Sequence, residues 1–292
     1  TPKYLWLYRV DSSDLIVPTG VGKQVRQFLS ERDQISVQLA DNDILEYKGN
    51  IPLYDYQKTA VEAMRRTSCG ILQSPCGSGK TQMGIALAAV LKRKVLWVTH
   101  TQDLLTQSFA RAEQYFPAET LGTITDGKVR LGSHMTFATV QTLSKLDLTQ
   151  YRDAWDVVIV DECHRLAGSP TQVTMFYKVM NNLAARYKYG LSATVHRSDG
   201  MIKSTFAVLG PIIYRVPNEA VADKTMQVRI VPRDTGIAVS RGCLDTDGTL
   251  DYHELLSYLG DNQERNELIV RDMVSQSGHS CLVLASRLEQ LR

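Results

Sequence analysis

The stretch that decides the fold is GILQSPCGSGKT at residues 70–81, which is followed by the apolar run QMGIALAAVLKRK at residues 82–94. Residues 70–72 have the pattern of a short apolar strand, and the run after the glycine-rich loop has the pattern of a helix. A strand, a glycine-rich loop and a helix in this order predict a site where backbone N–H groups and the amino end of the helix surround a phosphate group.

Phosphate and magnesium binding would explain each residue type in this loop. Glycines let successive N–H groups turn inward, a lysine places positive charge beside the β- and γ-phosphates, and a threonine hydroxyl can bind magnesium. Ser74 stands where the usual pattern has its first glycine, and the plain alternative is a glycine-rich turn without a ligand. The residues predicted to bind the nucleotide here are Pro75, Cys76, Gly77, Ser78, Gly79, Lys80 and Thr81.

A second signal is the segment WDVVIVDECH at residues 155–164, a buried strand that ends in Asp161 and Glu162. Ligands of parallel sheets bind at the carboxyl ends of strands. Two adjacent carboxylates are costly to bury unless a cation compensates them. We therefore predict that Asp161 binds magnesium and that Glu162 orients or deprotonates the attacking water. The plain alternative is an acidic pair that is simply solvated.

From Tyr54 onward, apolar segments rich in β-branched residues alternate with helical segments. This alternation is typical of an α/β fold in which helices cover both faces of a parallel sheet. The predicted strands lie at residues 70–73, 94–99, 134–138, 156–160 and 187–191.

The segments outside this sheet predict smaller units. Short strands are predicted at residues 4–10 and 14–17 and a helix near 21–30, so residues 1–50 are expected to form a small α+β domain. Residues 218–262 are rich in turn signals and predict a connector. The further elements expected are a strand at 226–231, a helix at about 262–275 and a strand at 280–285.

Composition excludes several classes of protein. The 292 residues carry a net charge of only +2, so charge alone does not argue for a nucleic-acid partner. Five cysteines without a CxxC pair favour free thiols over disulfides or a zinc ribbon. Neither a membrane span nor a signal peptide is recognisable, so we expect a cytoplasmic protein that does not contact a membrane.

Several motifs resemble those of the superfamily 2 helicases. Asp161-Glu162-Cys163-His164 resembles the second ATPase motif of the DEAD/DEAH-box helicases, and Leu191-Ser192-Ala193-Thr194 resembles their Ser-Ala-Thr motif. Further matches are Tyr56-Gln57, similar to the adenine-reading motif, Val98-Thr99-His100-Thr101, similar to motif Ia, and Thr139-Val140-Gln141-Thr142, similar to later strand-contacting motifs. Together they cover about residues 50–215.

Two further stretches narrow the resemblance. SATVHRSDG at 192–200 and LGPIIYRV at 209–216 are similar to the branch that contains a phage helicase, the eukaryotic repair and transcription helicase subunit, and type III restriction motors. The chain from residue 252 onward resembles the part of this branch that leads into a second RecA-like lobe. The resemblance therefore implies a RecA-like ATP-binding domain at 51–217, a connector at 218–262 and the start of a second lobe at 263–292.

The resemblance also implies roles for individual residues. ATP and Mg²⁺ would be the cofactors, with Gln57 on adenine, Lys80 and Thr81 on phosphate and metal, Asp161 on the metal, and Glu162 as base. His164, Ser192 and Thr194 would couple the nucleotide state to nucleic acid. The candidates for backbone contacts with nucleic acid are Thr99, Thr101, Thr139, Gln141 and Thr142. Tyr54 and Val195 depart from the family pattern, which often has Arg and Pro there.

The expected function is that of an ATP-dependent helicase or translocase, bacterial or phage-encoded, that acts on DNA rather than RNA. The second lobe would be a partner that supplies arginines for hydrolysis, so this chain alone is expected to turn over ATP poorly. Two alternatives stay open. One is a restriction or defence motor that translocates on duplex DNA without separating strands, and the other is an ATP-responsive nucleic-acid-binding module that does not hydrolyse ATP.

Overall fold

The computed structural model describes residues 8–12, 14–30, 35–37, 39–125, 127–167, 170–194, 202–224, 230–245 and 247–285. The chain divides into two compact units, residues 1–227 and 228–292. Within the described residues, no helix has both the length and the apolar character needed to cross a membrane.

A sheet of eight described strands forms the centre of the large unit. The strands are β3 Cys69–Gln73, β4 Val95–Thr99, β5 Leu121–Thr125, β6 Lys128–Arg130, β7 Met135–Thr139, β8 Val157–Val160, β9 Tyr187–Ser192 and β10 Ile212–Arg215. Their order is β10-β3-β9-β8-β4-β7-β5-β6, and neighbours are parallel except for the antiparallel pair β5 and β6.

The five strands predicted for this sheet are confirmed, each within one residue at either end. The sheet is mixed rather than purely parallel, because β6 forms an antiparallel edge. Strands β5, β6 and β10 were not predicted from the sequence. β6 is fully exposed and β10 is only half-buried, so neither has the continuous apolar run of a central strand.

Helices cover both faces of the sheet. They are α2 Asp55–Arg65, α3 Lys80–Leu91, α4 Gln102–Glu113, α5 Val140–Leu143, α6 Pro170–Asn181 and α7 Ile202–Leu209. Alternate residues of β4 enter two different cores: Val95 and Trp97 pack with residues of α2, α3 and α4, whereas Leu96 and Val98 pack with residues of α5, α6 and α7. This alternation follows from the two-residue period of a strand and confirms the predicted α/β architecture.

Gly84 sets how closely α3 approaches the sheet. A Cβ atom at this position would lie 2.6 Å from the Trp97 ring and 2.9 Å from Leu191 Cδ1. Both neighbours are fully buried, so neither has room to move aside. The missing side chain therefore lets the helix that follows the phosphate loop lie directly on the sheet.

A Gly84→Ala variant is expected to lower the free energy of unfolding by about 1–3 kcal/mol, because overpacking a tight core forces shifts in the surrounding structure. Denaturant unfolding measures the loss. Gly22→Ala is the matched control, since its Cβ would meet nothing within 4 Å. It should be neutral or slightly stabilising. Equal stabilities for the two variants would show that α3 does not depend on the small residue.

The amino-terminal part contains a short hairpin and a short helix. β1 Arg9–Asp11 pairs antiparallel with β2 Asp14–Ile16, and α1 spans Gly22–Arg26. The predicted strand at 4–10 lies mostly outside the described residues. The helix predicted near 21–30 is shorter than expected.

Residues 40–47 pack against the side of the large sheet where its parallel strands begin. The N–H of Ala40 donates to the Ala184 carbonyl at 2.7 Å, and the N–H of Asn42 donates to Asp156 Oδ1 at 2.9 Å. Tyr47 Oη donates to the Arg93 carbonyl at 2.8 Å. The end of the predicted 1–50 domain is thus tied to the sheet, while the boundary itself stays a prediction.

The small unit contains two helices, α8 Tyr252–Asp261 and α9 Gln263–Ser275, the second matching the predicted helix. The predicted strand at 280–285 is wrong: the described residues there form no strand, and Leu282 and Leu284 are 85% and 86% exposed. A strand needs a hydrogen-bonded neighbour, and the described part of this unit contains only an isolated bridge. The predicted strand at 226–231 lies mostly outside the described residues.

Candidate functional site

The predicted site residues meet at one edge of the sheet. Strands β3, β9, β8, β4 and β7 are consecutive neighbours and run parallel, so their carboxyl ends lie side by side. The phosphate loop follows β3, the Ser-Ala-Thr segment follows β9, and the acidic pair follows β8. Thr99, in the segment similar to motif Ia, is the last residue of β4, and Thr139, the first residue of the Thr139–Thr142 motif, is the last residue of β7. The topology therefore brings together segments that lie far apart in the sequence.

The phosphate loop has the conformation that its glycines permit. Gly77 and Gly79 adopt φ values of 75° and 79°, in the left-handed region that favours glycine. A Cβ on Gly79 would lie 2.5 Å from Gln57 Nε2. Helix α3 begins at Lys80, so its amino end and its unpaired N–H groups face the loop.

Ser74, which replaces the usual first glycine, has a structural role. Its buried hydroxyl lies 2.6 Å from Ser78 Oγ, and Ser78 Oγ donates to the Pro75 carbonyl at 2.6 Å. Because the single hydroxyl proton of Ser78 is already used in its hydrogen bond to Pro75, the Ser74 hydroxyl must be the donor to Ser78 Oγ. The N–H of Ser74 donates to the Ser192 carbonyl at 2.9 Å. The substituted residue therefore closes the loop on itself, and its backbone fastens the loop to the end of β9.

A continuous series of polar contacts joins the phosphate loop, the acidic pair and the Ser-Ala-Thr segment. Lys80 Nζ lies 3.5 Å from Glu162 Oε1, and Glu162 Oε2 lies 3.4 Å from His164 Nδ1. His164 Nδ1 is 2.8 Å from Ser192 Oγ. Glu162 adopts a φ of 46°, which is uncommon for a residue with a side chain. The structure thus brings together Lys80, Glu162, His164 and Ser192, four of the residues selected from the sequence.

The hydrogen bonds of Ser192 determine which nitrogen of His164 carries a proton. Ser192 Oγ donates its proton to the Thr194 carbonyl at 2.6 Å. A serine hydroxyl has one proton, so in the contact with His164 it must be the acceptor. His164 Nδ1 is then the donor. The third predicted coupling residue, Thr194, therefore takes part through its backbone carbonyl.

Asp161 has the environment of a metal ligand. Its carboxylate is 4% exposed; Oδ1 accepts from the N–H of Glu162 at 3.0 Å, and Oδ2 lies 3.4 Å from Ser108 Oγ. Burial, followed by the charge of Glu162, raises the pKa of Asp161 to about 6. A divalent cation would offset the cost of burying this charge.

The donor set fits magnesium that is held partly by phosphates. The described residues contain no cluster of three or more His, Cys, Asp or Glu side chains able to hold a metal by themselves. Asp161 and Thr81 line the same cleft. One carboxylate and one hydroxyl, completed by phosphate oxygens and waters, are the ligands that Mg²⁺ commonly takes in such sites.

This cleft has a volume of about 670 Å³. Gln57, predicted to bind adenine, lies in it, but both ends of its amide have protein partners. Oε1 accepts from the N–H of Tyr54 at 2.9 Å, and Nε2 donates to the Ser78 carbonyl at 2.8 Å. The adenine contact therefore stays a prediction, whereas the structure gives Gln57 a role in bracing the phosphate loop. Of the remaining predicted loop residues, Pro75, Cys76 and Lys80 do not line the cleft, and the Cys76 thiol is exposed.

Sequence reasoning missed the contribution of α4. Leu104, Gln107, Ser108 and Arg111 all line the cleft. Their spacing of three, four and seven residues places them on one face of a helix. That spacing was the signal that could have found them. Lys224, which also lines the cleft, had no such signal.

The candidates for nucleic-acid contact lie together at the ends of β4 and β7. Thr101 Oγ1 accepts from the N–H of Leu104 and Thr139 Oγ1 from the N–H of Thr142, so both threonines cap helices. The hydroxyls of Thr139 and Thr142 are 2.9 Å apart. Thr99 is fully buried and donates to the Thr101 carbonyl, so its side chain shapes this turn and is not available to a nucleic acid.

Gln141 connects His100, which was not among the predicted contact residues, to this group. Its Nε2 lies 3.3 Å from His100 Nδ1. Because an amide nitrogen is a donor, His100 Nδ1 is the acceptor, and in the neutral ring Nε2 then carries the proton. Burial, with the charge of Arg165 second, lowers the pKa of His100. Contact of Thr101, Thr139, Gln141 and Thr142 with nucleic acid stays a prediction.

Comparison with known proteins places these features in a family context. Residues 50–197 match the family model described as "Type III restriction enzyme, res subunit". The chain is 31% identical over 208 residues to "DNA 3'-5' translocase XPB2" of Sulfurisphaera tokodaii, covering 69% of this chain and 45% of that protein. It is 28% identical over 264 residues to "DNA 3'-5' helicase XPB" of Kineococcus radiotolerans, covering 82% of this chain and 43% of that protein. The chain thus spans less than half the length of these relatives.

The fold is similar to that of solved helicase structures. The UvsW helicase from bacteriophage T4 superimposes with a TM-score of 0.53 at 19% identity, covering 70% of this chain and 80% of that chain. At this identity, the similarity concerns the RecA-like fold alone.

Proposed function

We propose that this chain, which belongs to the family of the type III restriction enzyme res subunit within the superfamily 2 helicases, is the ATP-binding part of a motor that acts on DNA. The RecA-like lobe would bind and hydrolyse ATP and transmit the nucleotide state to the nucleic acid. A second RecA-like lobe is the partner that completes the site.

The observation that carries this proposal is the series of contacts from Lys80 through Glu162 and His164 to Ser192. A site that only binds a nucleotide needs the loop and its lysine. It does not need a carboxylate held between that lysine and a histidine fastened to a neighbouring strand. Such an arrangement lets a change at the γ-phosphate move Lys80, and through Glu162 and His164 displace the end of β9.

The residues then have definite tasks. The loop N–H groups and Lys80 bind the phosphates, and Glu162 orients the attacking water and accepts its proton. Asp161 and Thr81 would hold Mg²⁺, which would supply positive charge to the phosphates when bound.

DNA is favoured as the nucleic acid because the two relatives described above are named as a DNA translocase and a DNA helicase. The ends of β4 and β7 would hold one strand through hydroxyl and N–H contacts with phosphates, which gives binding that is largely independent of sequence.

ATP hydrolysis by two forms of the protein tests the proposal: this chain alone, and this chain joined to a second lobe. Each is measured without nucleic acid and with single-stranded DNA, duplex DNA and RNA of equal length. We expect appreciable turnover only in the form with a second lobe, and stimulation by DNA above that by RNA. A two-lobe form that binds ATP but never turns it over with any nucleic acid would instead make the chain a non-hydrolysing binding module.

A second candidate, translocation on duplex DNA without strand separation, is favoured by the description of the matching family as a restriction-enzyme subunit. The two candidates differ in what moves. A translocase displaces a third strand from a triplex in an ATP-dependent manner but leaves the two duplex strands paired, whereas a helicase separates them. Measuring both displacements on the same DNA with the two-lobe form distinguishes the candidates.

A further inference from the structure

The turn that follows β9 is held from two sides. On the side of β8, Ser192 Oγ contacts His164. On the side of β3, Gln73 Nε2 donates to the Ala193 carbonyl at 3.5 Å. Gln73 is the last residue of β3 and belongs to none of the motifs from which the site was predicted. A residue outside these motifs therefore contacts the Ser-Ala-Thr segment directly.

Arg215 fixes the orientation of the Gln73 amide. Its Nη1 donates to Gln73 Oε1 at 2.6 Å. A guanidinium group has donors but no acceptor, so the atom of Gln73 that faces it must be the oxygen. The amide nitrogen is then left for the Ala193 carbonyl, which is an acceptor. Both ends of the amide have a partner, and one side chain joins Arg215 to Ala193.

The strand order places these contacts in a row across the sheet. Strand β3 lies between β10 and β9, and Gln73 is in register with Arg215 on one side and with Ser192 on the other. The backbone is tied at the same level, because the N–H of Val216 donates to the Gln73 carbonyl at 2.9 Å. Ala193 lies just beyond the last residue of β9, so the Gln73 amide holds its carbonyl where that strand has ended.

A second point of attachment changes how the turn can respond to His164. A turn held on one side only would move as a whole when that side moves. His164 reaches the turn through Ser192, and Gln73 reaches it one residue later through Ala193. With Ala193 held from β3, a displacement of His164 changes the shape of the turn instead. Neither Gln73 nor Arg215 lines the cleft, so their effect on ATP would be indirect.

We propose that Arg215, Gln73 and Ala193 form a relay that holds the Ser-Ala-Thr segment from the edge of the sheet and is needed for DNA to stimulate ATP turnover. This inference rests on the proposed function, since the segment couples nothing unless the chain is part of a motor that acts on DNA. Gln73 and Arg215 are positioning residues: Arg215 keeps the amide turned toward Ala193, and the amide provides the fixed point against which His164 acts.

The test is the ratio of ATP turnover with saturating DNA to turnover without DNA, measured on the two-lobe form together with ATP affinity and the free energy of unfolding. Gln73→Met keeps the length of the side chain but removes both hydrogen bonds, and it should lower the ratio about fivefold, at the low end of coupling between sites. Arg215→Ala should lower it about threefold, because the amide loses only the partner that orients it. ATP affinity should change by less than about twofold in both.

A Gln73→Glu variant distinguishes the relay from a general stabilisation of the sheet edge. Glutamate can still accept from Arg215, and the opposite charges strengthen that contact. Its second oxygen would face the Ala193 carbonyl oxygen, and a carboxylate has no proton to donate. The free energy of unfolding should therefore not fall, while stimulation by DNA falls as far as in Gln73→Met. Arg215→Lys, which keeps a donor and the charge, should restore most of the parental ratio.

Two controls make the same changes elsewhere. Arg130→Ala removes an exposed arginine from β6, the edge strand at the other end of the sheet. Gln27→Glu introduces the same negative charge at an exposed glutamine just beyond α1. Neither control should change the ratio. In the Gln73→Met background, Arg215→Ala should cause no further loss, because the two residues act through one amide.

Different failures have different meanings. A Gln73→Glu variant with the parental ratio would show that only the bond to Arg215 matters, and the relay would be wrong. It would also be wrong if Gln73→Met weakened ATP binding as much as stimulation, because Gln73 would then act on the phosphate loop. Losses that multiply in the double variant would mean that the two residues act separately. A two-lobe parent that no nucleic acid stimulates would refute the proposed function as well, whereas an unchanged ratio in both Gln73 variants refutes the relay alone.

Discussion

A Glu162→Gln variant is expected to turn over ATP about a thousandfold more slowly than the parent while binding ATP with similar affinity. Glu162 is the group positioned to accept the proton of the attacking water, and an amide cannot accept it. The substitution keeps the size and shape of the side chain. Its carbonyl oxygen can still accept a hydrogen bond from Lys80, whose Nζ lies 3.5 Å from the carboxylate. Binding should therefore survive the loss of chemistry.

The measurement is single-turnover hydrolysis by the two-lobe form with saturating DNA, together with ATP affinity determined by calorimetry. Glu113→Gln is the matched control, because this carboxylate is exposed in the last turn of α4 and lines no part of the cleft. It should leave both quantities unchanged. If Glu162→Gln retained more than about a tenth of the parent's turnover, the general base would have to be another group.

The sequence predicts the local motifs of this site but not the contacts between segments that are distant in the sequence. The phosphate loop and acidic pair were predicted because their chemistry requires particular residue types at fixed spacing, with Gly79 and Lys80 beside one another. The contact between Lys80 and Glu162, and the hydrogen bond from Ser74 to Ser192, join segments separated by a long stretch of sequence. Only the strand order places these segments side by side, and spacing does not reveal that order.

The same distinction applies to the fold. Central strands such as β8 were predicted within one residue because four consecutive buried valine and isoleucine residues leave little choice. The strand expected at 280–285 had a similar pattern, yet the described residues of the small unit contain no strand with which it could pair. Apolar pattern thus identifies the capacity to form a strand, whereas hydrogen-bonded neighbours decide whether it forms. Lys224 lies on a turn whose position is likewise set by packing and not by local sequence.

A Ser192→Ala variant is expected to lower the stimulation of ATP turnover by DNA about tenfold, the size of coupling that one hydrogen-bonded contact can carry. Ser192 is the only link in the described series of contacts that belongs to β9. Its Oγ accepts from His164 Nδ1 at 2.8 Å and donates to the Thr194 carbonyl at 2.6 Å. Alanine removes both bonds, so His164 remains beside Glu162 but no longer reaches the strand.

The quantity to measure is the ratio of turnover with saturating DNA to turnover without DNA, in the two-lobe form. Ser133→Ala is a close control, because Ser133 Oγ lies 3.0 Å from His134 Nδ1 in an exposed serine–histidine pair away from the cleft. This control should leave the ratio unchanged. Adding His164→Ala to Ser192→Ala should lower the ratio no further, because the two residues act through one contact. If the double variant lost much more stimulation than either single one, His164 and Ser192 would transmit the nucleotide state by separate routes, and the series of contacts would not be the coupling element.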